Sequence, residues 1–343
     1  MTILQRIGAI LAFLSLAACG GGSSGTGDAG LGNGSDPGTP AKNVLFVGDE
    51  GKFAFATFST LKPAAGATIA ANLLDIGPTT MWLGIAYDGV RDRLYANDSR
   101  QIAVFDQAST LKGKIAPTRA IVPLIPNLEL LYGMQLDKAN DQLYVGYHTS
   151  VAGPYSIAVF NNASMLTGSV APSRVIIGID AGHFAIDTLR NILYTRSASS
   201  IESLIDVYPS QNLINGVAPS NTRKTLRPMV NGLPSGLALD QNNDRLYVGV
   251  AGSGVAVVTD ASSRAILELR DPVGTLVELI ALPNNAQMNV GLAYDSNNDR
   301  LYAGFDSSVY LLDAASKLQA DTPASALLIT APTGSVITTF AFP

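Results

Sequence analysis

From residue 42 onward, apolar and polar positions alternate in short runs punctuated by Gly, Asn, Asp and Ser. A period of two with such turns predicts β-strands, and no segment carries the 3.6-residue period of a helix between units. One run is Gly291 to Asp295, followed by the turn Ser-Asn-Asn-Asp and a second run from Arg300 to Gly304. A third strand follows a short loop, as in Ile102 to Asp106, Ile157 to Asn161 and Val309 to Asp313. A connector then recurs before a fourth apolar strand. It reads Ala108 to Gly113 with Pro117 and Arg119, and again Ala163 to Gly168 with Pro172 and Arg174.

The whole unit repeats. A Leu-aromatic pair stands at Leu45-Phe46, Leu94-Tyr95, Leu143-Tyr144, Leu193-Tyr194, Leu246-Tyr247 and Leu301-Tyr302, with aromatics 49, 49, 50, 53 and 55 residues apart. Three residues before each aromatic is Asn43, Asp92, Asp141, Asn191, Asp244 or Asp299. Seven before it, from the second copy on, is Asp88, Asp137, Asp187, Asp240 or Asp295. A spacing near 50 falls in the range of propeller blades. The first copy lacks its innermost strand, whereas Thr339 to Pro343 aligns with Gly84 to Asp88. The expected fold is therefore all-β: a six-bladed β-propeller of four-stranded blades over residues 42–343. In it the C-terminal strand joins the N-terminal blade, which removes free sheet edges. Seven blades is the runner-up, because the two longest spacings leave room for extra strands.

Pro234 to Asp240 followed by Arg245 to Gly249 resembles the NHL- and YVTN-type repeats of bacterial propellers. That resemblance spans residues 43–343 and implies the fold; it implies little about function, since propellers host enzymes and inert platforms alike.

The N-terminus differs in kind. Residues 1–18 read as a secretory signal, with Arg6 as the positive region and Ile7 to Leu16 as an apolar stretch too short to span a bilayer. The sequence Leu16-Ala17-Ala18-Cys19 resembles the bacterial lipoprotein box. The resemblance implies lipidation of Cys19, the chain's single cysteine, and with Gly20 next to it an outer-membrane location, periplasmic or surface-facing. Residues 19–41 are nearly all Gly, Ser, Thr, Asp and Pro. Too few apolar side chains stand there to offset ordering, so the segment reads as a tether reaching roughly 25 Å.

Composition narrows the chemistry. With 22 basic and 27 acidic residues the net charge is −5, which argues against a nucleic-acid partner. One cysteine excludes a disulfide framework, and two histidines leave little room for metal or triad chemistry. No Walker loop, G-x-G-x-x-G fingerprint or H-E-x-x-H stands in residues 42–343. The Asp-x-x-x-Asp turns suggest calcium, but Arg93, Gln142, Arg245 and Arg300 occupy the position where an EF-hand-type loop needs Gly, and aspartates at hairpin turns cap their own amides. No cofactor and no metal are expected. Arg119 and Arg174 read as ties between blades.

The residue opening the inner strand is Gly84, Gly133, Gly236, Gly291 or Thr339, but His183 in the fourth copy. That break makes His183 the first candidate for a binding site at the channel mouth. His148, Trp82, Tyr132, Ser235 and Asn289 are placed around the same mouth, with Glu129 and Asp180 the nearest carboxylates. The expected function is a monomeric, lipid-anchored envelope module that binds a protein, peptide or glycan without catalysis. The alternative is a propeller-type hydrolase or lactonase using His183 with Asp180 or Glu129.

Overall fold

The computed structural model describes residues 44–49, 54–58, 72–75, 84–149, 155–197, 204–226, 232–264, 278–280, 291–305, 308–320, 326–330 and 337–341. The signal segment, the tether, Cys19, Trp82 and Asn289 lie outside the described residues.

Five blades are contiguous in sequence. The first runs outward through Gly84–Asp88, Arg93–Asn97, Ile102–Asp106 and Arg119–Pro123. The second has Leu130–Asp137, Gln142–His148, Ser156–Asn161 and Arg174–Ile177. The third has Phe184–Asp187, Ile192–Arg196, Ile205–Pro209 and Lys224–Leu226. The fourth has Pro234–Asp240, Arg245–Val250, Gly254–Thr259 and Glu278–Ile280. The fifth has Gly291–Asp295, Arg300–Phe305, Ser308–Asp313 and Ala326–Thr330.

The remaining sheet is a composite of both chain ends. Ile337–Ala341 pairs antiparallel with Leu45–Asp49, which continues into Ala54–Phe58 and Asn72–Asp75. Consecutive inner strands touch one another around the hub, and Ile337–Ala341 touches both Gly84–Asp88 and Gly291–Asp295.

The expectation of six equal four-stranded blades, or of seven, is corrected by this arrangement. Among the described residues only five blades are continuous units, and strand number is not uniform. Short connector strands cross to the preceding sheet and pair in parallel: Gly113–Lys114 with Asn72–Asp75, Gly168–Val170 with Arg119–Pro123, and Gly216–Val217 with Arg174–Ile177. Each becomes the fifth, outermost strand of its neighbour and covers an edge that would otherwise be open.

The Leu-aromatic pair explains the core. Adjacent strand residues point to opposite faces, and both faces of a blade are covered by neighbours. Tyr95 packs in one cluster with Leu143, Tyr144 with Leu193, Tyr194 with Leu246, Tyr247 with Leu301, and Phe46 with Leu94. Each unit thus presses its aromatic onto the leucine of the next, and every member of these pairs is buried.

The turns are equally repetitive. Asp88 accepts from the amides of Val90 and Arg91, and Asp137, Asp187, Asp240 and Asp295 cap their turns likewise. Asp92, Asp141, Asn191, Asp244 and Asp299 are left-handed, with φ between 51° and 58°. Asn and Asp tolerate that region better than other non-glycine residues. Four of these carboxylates then accept both N–H and O–H from one serine of the next connector: Asp92 from Ser109, Asp141 from Ser164, Asp244 from Ser262 and Asp299 from Ser316. Capping of their own turns and of the next connector accounts for these aspartates.

Blades are stitched by the connector arginines, as the sequence suggests. Arg119 donates to the carbonyls of Ser164 and Leu166, and Arg174 to those of Gln211 and Ile214. Close approach at the hub demands small residues. A Cβ on Gly133 would lie 2.6 Å from the carbonyl oxygen of Gly182, and one on Gly84 would lie 2.5 Å from that of Tyr132. Because the obstacle is backbone, Gly133→Ala is expected to destabilise the fold by about 1–3 kcal/mol, read as a lower urea midpoint with unchanged slope.

Candidate binding site at the channel mouth

His183 immediately precedes the inner strand Phe184–Asp187. Its ring is packed closely enough that burial pushes its pKa down to about 4; the Asp180 charge opposes the shift and Arg196 adds to it. The imidazole is therefore neutral at neutral pH. Asp180 does not orient it. Its Oδ1 accepts the Gly182 amide at 3.0 Å, and its Oδ2 accepts from Nε and Nη2 of Arg196 at 2.7 and 2.6 Å.

A linkage prediction follows from this depressed pKa. The unfolded histidine, near 6.5, takes up a proton before the folded one does. Stability is therefore lost as pH falls from about 6.5 towards 4, by up to about 3 kcal/mol. Denaturation midpoints across that window should fall less steeply in His183→Gln than in the wild type. NMR titration of His183 near 6.5 would contradict the prediction.

Tyr132 and His148 are brought together. Tyr132 lies in the inner strand Leu130–Asp137, and His148 ends the adjacent strand, paired with Leu130. Their rings are 5.3 Å apart, and Tyr155, just before the third strand of the same blade, stands edge-on to both at 5.3 and 5.7 Å. His148 Nδ1 is buried with no hydrogen-bond partner and lies 3.7 Å from a Glu129 carboxylate oxygen. Burial raises the Tyr132 phenol pKa, reinforced by its hydrogen bond with Tyr155 and by the charges of Asp180 and Glu129.

Ser235, by contrast, is a frame residue: it is buried, and its hydroxyl donates to the Gly249 carbonyl at 3.4 Å.

Sequence reasoning missed Tyr155, which lies outside any strand and is 39% exposed. It also missed the opposite end of the channel. There, cavities of about 220 and 260 Å³ share Gln135, Lys138 and Gln241 among their lining residues. The signal was available for Gln135, because the equivalent position is alanine at Ala86, Ala185, Ala238, Ala293 and Ala341. Gln135 bridges blades, donating to the Phe184 carbonyl at 2.6 Å and accepting the Ile186 amide at 3.1 Å. Burial lowers the Lys138 pKa against the opposing pull of Asp88 and Asp295.

No family model and no curated protein matches the chain. Solved structures do. A chain from the crystal structure of a nidogen/laminin complex superposes with a TM-score of 0.55 at 15% identity, covering 87% of this chain and 97% of that one. The fold is a β-propeller. The likeness carries no residue of a site across, and 822 matching chains mark a shape shared far too widely to fix a function.

Proposed function

We propose that this propeller is a non-catalytic binding module of the cell envelope, held to the outer membrane by lipid on Cys19 and presenting its channel mouth to a protein, peptide or glycan. The supporting observation is the contrast at that mouth. Asp180 is fully engaged by Arg196 and the Gly182 amide, whereas Tyr155 presents an exposed ring backed by Tyr132 and His148. Exposed aromatics on a rigid frame are the usual anchors of recognition surfaces. The structure neighbour comes from a complex of two proteins, which fits a protein partner best of the three. A hydrolase would need a carboxylate to orient His183, and the contacts of Asp180 go to Arg196 and the Gly182 amide instead.

Crosslinking pull-down from intact envelopes tests the reading. Tyr155→Ala should abolish partner recovery with an unchanged melting temperature, while His183→Ala should leave recovery intact; the reverse pattern would sink the module reading. The anchor has its own test: palmitate incorporation should vanish in Cys19→Ala.

A further inference from the structure

The same mouth also carries information about what it binds. The rings of Tyr132, His148 and Tyr155 form one contiguous cluster, with centroids between 5.3 and 5.7 Å apart. Glu129 sits beside them with its side chain 43% exposed, its backbone N–H fixed by the His148 carbonyl at 3.1 Å. Nearby, Asp180 is paired with Arg196, whereas Glu129 has no ion pair with a lysine or arginine among the described residues. Burial first, then the hydrogen bond with Tyr155 and the Asp180 and Glu129 carboxylates, keep the Tyr132 phenol protonated. The whole chain is acidic as well, at −5.

Aromatic rings next to a solvent-reachable carboxylate are complementary to a cation. A cation gains from the ring quadrupole and from the carboxylate together, and an anion is repelled by both. Resting on the binding-module reading above, we infer that the mouth formed by Tyr132, His148, Tyr155 and Glu129 captures a cationic side chain, lysine or arginine, offered by a protein partner. His148 Nδ1 lies 3.7 Å from the Glu129 carboxylate without a hydrogen bond, so His148 does not tie that carboxylate down against an incoming ammonium or guanidinium.

The test uses the full chain in detergent and immobilised Gly-Ser peptides carrying one central lysine, arginine, acetyl-lysine or glutamate. Lysine and arginine peptides should bind, and acetyl-lysine and glutamate peptides should bind at least fivefold more weakly. Tyr155→Ala and Glu129→Gln should each weaken lysine-peptide binding roughly 3- to 30-fold, with Tyr155→Phe near wild type and melting temperatures unchanged. Equal binding of lysine and acetyl-lysine peptides overturns the inference. If Tyr155→Ala still abolishes envelope pull-down in that case, the module reading survives and only the cationic preference fails. If Tyr155→Ala affects neither assay, both fail.

Discussion

Deletion of residues 337–343 should leave a chain that no longer unfolds cooperatively and that aggregates at concentrations where the full chain is soluble. Ile337–Ala341 is the inner strand of the composite sheet, paired through Phe46 with Ala341, Val47 with Phe340 and Gly48 with Thr339. Without it, the backbone groups of Leu45–Asp49 on that side lose their partners and become an open template for another chain. Val44 to Val47, now between 0 and 5% exposed, would lose cover at the hub. Gly84–Asp88 and Gly291–Asp295, which Ile337–Ala341 bridges, would face a gap. Fully burying one large aliphatic or aromatic side chain contributes about 1.5–3 kcal/mol, so uncovering several exceeds a large part of the roughly 5–15 kcal/mol that holds a domain together. Size-exclusion chromatography and a circular-dichroism melt read the outcome. A synthetic 331–343 peptide added in trans should recover part of the transition. A truncated chain that melts within a few degrees of the parent would show that closure contributes little.

Most of this architecture was legible because it is written in side chains that repeat. Leu143-Tyr144 needs no coordinates to be read as one residue for each face of a blade buried on both sides. The Asp-x-x-x-Asp turns announce capping because carboxylates and left-handed backbone go together there. The parallel fifth strands were illegible for the opposite reason. Gly113–Lys114, Gly168–Val170 and Gly216–Val217 are too short and too exposed to alternate, and they pair through backbone alone. A pattern of side chains has nothing to say about them. They are why the count of equal four-stranded units failed.

The site divides the same way. His183 was visible as a break in a glycine row, but its isolation from Asp180 depends on Arg196, sixteen residues further along and unremarkable in sequence. Tyr155 belongs to the mouth only because the fold sets it against Tyr132 and His148.

The repeat tyrosines offer the other large effect, and a comparison that separates packing from hydrogen bonding. Tyr144→Ala is expected to destabilise the protein by about 4 kcal/mol, since it empties a fully buried ring site between Leu193, Ile157 and their neighbours. It also removes one of the partners of Arg174, whose Nη2 donates to the Tyr144 hydroxyl at 3.0 Å and whose guanidinium lies 5.4 Å from the ring centroid. Tyr144→Phe keeps the ring and removes the hydroxyl that donates to Gln142 at 2.9 Å and accepts from Arg174, so it should still cost about 1–2 kcal/mol. Tyr194 occupies the equivalent position one unit on, equally buried, but its hydroxyl has no hydrogen-bond partner among the described residues. Burying an unpaired hydroxyl is unfavourable, so Tyr194→Phe should be neutral or stabilising by about 1 kcal/mol. Urea midpoints for the two Phe variants should therefore move in opposite directions from the wild type or differ by at least the cost of the Tyr144 bonds. Equal losses at both positions would mean that the hydroxyls contribute alike, and that the hydrogen bonds of the Tyr144 hydroxyl to Gln142 and Arg174 add nothing measurable to the ring.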